Sequence, residues 1–261
     1  MKLVLHGATG RMGQSLVRLS HPAGDLELVG AVCAADDPAV DKDVGEIAGI
    51  GPVGVIATAD LGAGLLGGDM VIDFSVAAAV PRLLGEAARK GLPVVSGTTN
   101  LDARCKRALE EASRSTAVLW APNMSLGIQV LAELVTQALR RLGSEYDVEI
   151  VEIHHRRKVD APSGTARRLA EAARSVRSEL HEQHVRSGEV GARPNDELGV
   201  MALRGGDVVG DHTVHLLGPG ERLELTHRAT SRELLAHGAL RAARFLLGRK
   251  PGLYTIADVL G

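Results

Sequence analysis

A glycine-rich turn near the start of the chain limits the fold more than any other feature. Gly7-Ala8-Thr9-Gly10-Arg11-Met12-Gly13 follows a short apolar run at residues 3–6 and opens a helix-like stretch, Arg11–Ser20. The same alternation continues. Strand-like runs stand at residues 27–33, 70–74, 93–96 and 118–121, and helical stretches at residues 77–90 and 103–114. Strand–helix alternation of this kind predicts a parallel sheet with helices on both faces, an α/β domain. At the first junction, glycines let the backbone approach a pyrophosphate, and the helix start supplies N–H donors and partial positive charge. Gly7, Ala8, Thr9, Gly10, Arg11 and Met12 are therefore expected at a dinucleotide. Taken alone, the turn would also suit an ordinary tight strand–helix connection.

A dinucleotide site of this type usually has an acid at the end of its second strand, on the adenosine ribose. Here that strand ends Ala31-Val32-Cys33-Ala34, and Asp36 and Asp37 come a few residues late. With no strand-end acid to repel a 2′-phosphate, and with Arg11 nearby, the sequence leans toward NADPH or dual use and leaves NADH open. Two further loops, Gly97-Thr98-Thr99-Asn100 and Ala121-Pro122-Asn123-Met124-Ser125, fall at strand C-terminal ends, where open α/β sheets bind ligands. Their small and hydroxylated residues suit a nicotinamide and its ribose, and equally suit plain turn chemistry.

The pattern changes near Asn123. Ser125 is placed to cap a helix with apolar residues at helical spacing, Ile128, Leu131, Leu134, Val135, Leu139 and Leu142. A strand is expected at Asp147–His154, then a helix from about Gly164, a polar loop at residues 178–197, and strands at residues 199–203, 213–217 and 223–226. These imply an α+β domain with an antiparallel or mixed sheet. Thr230-Ser231-Arg232-Glu233 reads as a capping box opening a final helix, which could return to either domain.

The densest chemistry lies in Glu152-Ile153-His154-His155-Arg156-Arg157-Lys158-Val159-Asp160-Ala161-Pro162-Ser163-Gly164-Thr165. Ser163 is placed as an N-cap, so that Gly164 and Thr165 begin a helix whose N–H groups can hold a carboxylate or phosphate. Pro162 disfavours helix at Ala161 and sharpens that start. His154 and His155 face opposite ways if the strand continues through both, and can both turn inward if it stops at His154. His titrates near neutrality and Lys is tunable by its neighbours, so the segment suits an anionic substrate that needs a proton donor. The plainer alternative is a basic surface loop.

Composition removes several classes. Phe, Tyr and Trp together number five, too few for the stacking platforms of single-strand nucleic-acid binders, and the net charge of -2 offers nothing to a polyanion. Cys33 and Cys105 make neither a disulfide framework nor a metal cluster, so no metal is expected and a reduced, cytoplasmic setting fits. No signal peptide is evident, and no apolar run approaches the roughly 18 residues of a membrane span.

Gly7–Gly13, Gly97–Thr99, Ala121–Met124 and above all His154–Thr165 closely resemble the 4-hydroxy-tetrahydrodipicolinate reductase (dihydrodipicolinate reductase) family. The likeness continues through Arg204-Gly205-Gly206-Asp207-Val208-Val209-Gly210-Asp211-His212-Thr213 and Glu224–Arg232. It implies reduction of a cyclic, unsaturated dicarboxylate by NADH or NADPH in lysine and diaminopimelate biosynthesis. It places His154 and Lys158 at proton-donor positions and His155, Gly164 and Thr165 at substrate positions; Ser163, at the same helix start, is expected to bind substrate with them. The cofactor positions it implies are Gly7–Met12, Gly97, Thr98, Thr99, Ala121, Pro122, Asn123 and Met124. It also implies a Rossmann-type domain of residues 1–124 and 231–261 and a substrate domain of residues 125–230 whose sheet builds a homotetramer. Closure of the two on their ligands is expected, because hydride donor and acceptor would arrive from different domains. Family members often carry a polar residue and then Arg where Cys33 and Ala34 stand, so nucleotide preference stays open. Two other readings compete: a binding protein that kept the fold without the chemistry, and a dehydrogenase sharing only the nucleotide half. Neither explains the His-His…Lys…Ser-Gly-Thr run.

Overall fold

In the computed structural model, which describes every residue from Met1 to Gly261, the first apolar run is strand β1 (Lys2–His6), with Leu3, Val4 and Leu5 wholly buried. The glycine turn leads into α1 (Arg11–Ser20), and β2 (Glu27–Val32) pairs parallel to β1. Three short elements follow, none with an apolar run long enough to signal it: α2 (Val44–Ala48), β3 (Ala57–Thr58) and α3 (Leu61–Gly64). Side-chain caps define both helices. Asp43 accepts from the N–H groups of Gly45 and Glu46, and Asp60 from that of Ala63. Then come β4 (Met70–Asp73), a 3₁₀ turn, α4 (Val80–Lys90), β5 (Val94–Ser96), α5 (Ala103–Ser113) and β6 (Ala117–Trp120).

The chain next enters a second unit, Ser125–Arg232. The Ser125 hydroxyl accepts from the Ile128 N–H and caps α6 (Leu126–Leu142). The elements after it are β7 (Asp147–His154), α7 (Gly164–Arg174), β8 (His181–Gln183), β9 (Glu197–Arg204), β10 (Gly210–Gly218) and β11 (Glu221–Ala229). They form a mixed five-stranded sheet in the order β11-β10-β7-β9-β8, antiparallel across β11, β10 and β7 and parallel across β7, β9 and β8. Both helices cover one face, where Val148, Ile150, Leu198, Val200, Val214 and Leu216 meet Leu131, Val135, Leu139 and Leu169. On the opposite face Arg186 and Arg193 pair with Glu149. Farther along it Val151, Ile153, Met201 and Leu217 are half-buried, and Leu203 is 48% exposed.

The chain then returns to the first unit, Met1–Met124 with Glu233–Gly261, as α8 (Glu233–Leu246) and β12 (Gly252–Tyr254). Helix α8 packs on β4, β5, β6 and α1, and β12 extends the sheet beside β6. The result is a seven-stranded parallel sheet in the order β12-β6-β5-β4-β1-β2-β3. Strand order reverses at β1, which puts a crevice beyond the carboxyl ends of β1 and β4.

The α/β and α+β architectures expected from the sequence are both present. Two local expectations change. Residues 178–197 are not wholly loop, because β8 pairs with β9 at the sheet edge. The last helix opens at Glu233, beyond the Thr230 cap position that its capping-box pattern suggested. The elements between β2 and β4, and β12, carried no periodic signal.

Candidate functional site

In the first unit, Gly7 lies at φ +80°, and its N–H donates to the Val32 carbonyl at 2.9 Å, as does that of Ala8 at 3.1 Å. A Cβ at Gly7 would come 2.6 Å from the Phe74 carbonyl oxygen, and one at Gly13 2.3 Å from that of Ala8, so the turn tolerates no side chain at either position. Gly10 caps α1 without any side-chain hydrogen bond, and no acid stands in the first turn. That leaves the positive helix end for an external anion. Arg11 is exposed there and Met12 half-buried. A cavity of about 550 Å³ opens beside the turn, lined among others by His6, Gly7, Thr9, Gly10, Cys33 and Phe74. These residues fit the adenosine and pyrophosphate of a dinucleotide.

The second and third loops rest on a buried carboxylate. Asp73, at the end of β4, is fully buried and accepts from Ser96 Oγ at 2.6 Å, Thr98 Oγ1 at 2.8 Å and Ser75 Oγ at 2.6 Å. It also pairs with His6 Nδ1 at 2.8 Å. Burial pushes the Asp73 carboxyl up, but His6 and the hydroxyls of Ser75 and Ser96 outweigh it and hold its pKa below the ordinary value. Asp73 therefore ties together the ends of β1, β4 and β5. The Thr98 hydroxyl is committed to Asp73 and its carbonyl accepts from Trp120 Nε1 at 2.9 Å. Thr99 stands exposed at the loop tip. Gly97 packs against Phe74, where a Cβ would lie 2.2 Å from the ring. Ala121 donates its N–H to the Ser96 carbonyl at 3.1 Å, and Ala121 and Met124 are buried, Asn123 half-buried and Pro122 exposed.

In the second unit, β7 ends at His154, so the alternation that buries Val148 and Ile150 also buries Glu152 and His154. A buried His beside a strand end is commonly a packing residue; its partners here argue for more. His154 Nδ1 bonds Glu152 Oε2 at 2.5 Å. Arg204 clamps both Glu152 oxygens at 2.8 Å each, and Oε1 also accepts from the Ser163 N–H at 3.0 Å. Burial raises the Glu152 pKa, yet Arg204, His154 and the Ser163 N–H together hold it below the usual carboxylate value. With Nδ1 tied to Glu152, the free ring nitrogen of His154 is Nε2. Opposite it stands Gly210 of β10, where a Cβ would lie 2.9 Å from Nε2.

His212 packs edge-on against His154 with centroids 5.1 Å apart, and its Nε2 bonds Ser163 Oγ at 3.1 Å. Burial, then the charge of His154, pushes its pKa down to about 3, so His212 is a neutral ring. The Ser163 hydroxyl also accepts from the Ala166 N–H at 3.2 Å and caps α7; at 2% exposure it is a structural pivot. Gly164 is exposed at the helix start and Thr165 half-buried behind it.

His155 leaves the strand on the other side. Its Nε2 meets Arg232 at 2.9 Å, and burial, Arg232 and the charges of His154 and Lys158 lower its pKa. Lys158 Nζ pairs with Asp160 at 2.8 Å, with a fifth of its side chain exposed. Sequence reasoning missed the roles of Glu152, Arg204, His212 and Asp73. The signal for Glu152 was available: a carboxylate two residues before His154 in a period-two strand must share its face.

Family models for the N-terminus and the C-terminus of dihydrodipicolinate reductase match residues 1–124 and 127–260. A protein named 4-hydroxy-tetrahydrodipicolinate reductase from Anaeromyxobacter dehalogenans is 49% identical over 263 residues, covering 100% of this chain and 97% of its own. One of the same name from Myxococcus xanthus is 44% identical, with 100% and 98% covered. Among solved structures, a dipicolinate-bound dihydrodipicolinate reductase from Paenisporosarcina sp. TG-14 superposes with a TM-score of 0.78 at 21% identity, over 99% of this chain and 98% of the other. An amine dehydrogenase from Mycobacterium smegmatis superposes at 0.61 and 14% identity, over 99% and 95%. At such identities the two structures speak for the fold alone.

Proposed function

The chain belongs to the dihydrodipicolinate reductase family, and from that membership we propose that it reduces 4-hydroxy-tetrahydrodipicolinate to tetrahydrodipicolinate, a step of lysine and diaminopimelate biosynthesis, using NADH or NADPH. The observation that carries the reading is the Arg204–Glu152–His154 relay beside the start of α7. The bound nicotinamide supplies a hydride to an electrophilic ring carbon. Net, the ring hydroxyl is exchanged for hydride and leaves as water, so one proton is consumed per turnover.

The protein's own groups do the rest. The glycine turn and the start of α1 receive the pyrophosphate, and Gly97–Thr99 and Ala121–Met124 orient the nicotinamide end. In the second unit the Gly164–Thr165 start of α7 holds one carboxylate by its N–H groups and partial positive charge. Lys158 adds a cationic donor for the dicarboxylate, and His155, a polar ring paired with Arg232, lies beside it. Glu152 holds His154 so that Nε2 faces the proton transfer, and Lys158, once turned from Asp160, is the second donor. General acid catalysis of this kind contributes about 10²–10⁴-fold.

Two further points belong to the same reading. The half-exposed apolar strip of Val151, Ile153, Met201 and Leu203 suits self-association through the five-stranded sheet, consistent with a homotetramer. Two buried free cysteines suit a reducing, cytoplasmic setting. No helix is long and apolar enough to cross a membrane. The test is oxidation of NADH and NADPH in the presence of freshly generated dihydrodipicolinate synthase product. Steady oxidation that depends on that product is expected; none with either cofactor refutes the reading.

A further inference from the structure

We infer that Asp37 is the residue that sets cofactor choice, and that it favours the unphosphorylated dinucleotide; this rests on the dinucleotide reading of the cavity beside the glycine turn. A dinucleotide crossing that turn places its adenosine ribose near the end of β2. Cys33 and Ala34 stand there. Ala34 has no polar side chain, and the Cys33 thiol is buried and turned toward the Thr58 carbonyl at 3.8 Å. The polar side chain that reaches this corner comes from farther along the loop. Asp37 lines the same cavity as Gly7 and Gly10.

Its carboxylate is held in place from two sides. Oδ2 accepts from Thr9 Oγ1, on the glycine turn itself, at 2.6 Å, and Oδ1 accepts from the Ala39 N–H at 2.8 Å. Each oxygen keeps a further lone pair, so the carboxylate can still accept from ribose hydroxyls. The Thr9 hydroxyl, then the Ala39 N–H, lower the Asp37 pKa, so it is charged at neutral pH; Lys42 contributes least. A fixed negative charge there accepts a hydroxyl and repels a 2′-phosphate, which discriminates by attraction and repulsion together. The absence of a strand-end acid in the sequence suggested the opposite preference. Folding brings an acid to that place from four residues beyond Cys33.

The test is calorimetric binding to the full chain at low salt, with NADH, NADPH, ADP-ribose and 2′-phospho-ADP-ribose as titrants. The two fragments read the adenosine corner with no contribution from turnover. Expected is binding of NADH and ADP-ribose at least roughly tenfold tighter than their phosphorylated counterparts, with the ratio shrinking as salt screens the charge. Asp37→Asn removes the charge; its carbonyl oxygen can still accept from the Ala39 N–H, while its amide NH2 can donate to Thr9 Oγ1 in place of the bond now accepted from it. It should bring the ratio near unity, chiefly by tightening the phosphorylated ligands. Equal binding of both series by the native chain, or an unchanged ratio in the variant, overturns the inference and leaves the reductase reading standing. If none of the four binds, the dinucleotide reading fails as well.

Discussion

At the scale of single residues, Glu152 decides what His154 can do. A buried carboxylate on Nδ1 fixes ring orientation and the nitrogen that exchanges protons. Glu152→Gln keeps the shape but removes the negative charge beside Nδ1. We expect turnover to fall about 10²-fold with KM nearly unchanged, a split that steady-state kinetics checks and that a merely structural role would not give. Lys158→Ala should lower turnover by a similar order and raise KM as well, because Lys158 is proposed both to donate a proton and to attract a carboxylate; near-normal kinetics would sink that role. His212 predicts a stability effect. Its folded pKa of about 3 lies below the free value of 6.5, so below pH 6.5 the unfolded chain binds a proton that the fold refuses. Stability should therefore fall with pH through that window, by up to about 1.4 kcal/mol per pH unit. Denaturant titrations from pH 7.5 down to about 5 should show the slope, and His212→Asn should flatten it. Glu152 acts lower: its depressed pKa adds stability that is fully present above the ordinary 4.5 and lost as pH falls through the folded value.

At the scale of elements, close approaches of backbone carry the architecture. A Cβ on Gly238 of α8 would lie 1.8 Å from the Met124 carbonyl oxygen. Gly238→Ala must displace α8 from the last residues of the third loop, at a cost of roughly 1–3 kcal/mol, read as a lowered midpoint in chemical denaturation. Much of this level was legible beforehand. Arg11–Ser20 and Asp147–His154 were bounded as they are found, because a glycine turn and a period-two run mark them sharply. The stretch between β2 and β4 was not, since α2 and α3 are held by the caps Asp43 and Asp60 more than by any apolar stripe. At the site, the basic run and the Ser163 cap could be read from the chain. The clamp of Arg204 on Glu152 could not, because it pairs residues on neighbouring strands whose register no local pattern fixes. The Asp73 hub was hidden for the same reason: its partners come from three strand ends.

At the scale of the whole molecule, the proposed self-association through the five-stranded sheet makes a direct prediction. Leu203, 48% exposed on the face opposite the helices, should be covered in the assembled protein. Leu203→Glu is expected to shift the mass measured by light scattering toward smaller species while far-ultraviolet circular dichroism stays unchanged; an unaltered mass would exclude that face. The path of the chain has another consequence. Ser125–Arg232 is one continuous stretch, whereas the first unit needs both Met1–Met124 and Glu233–Gly261. During synthesis the parallel sheet waits for α8 and β12, while the inserted unit already has every strand it requires. The segment that emerges second is therefore the one that can finish folding first, reversing the usual vectorial order of domains on the ribosome.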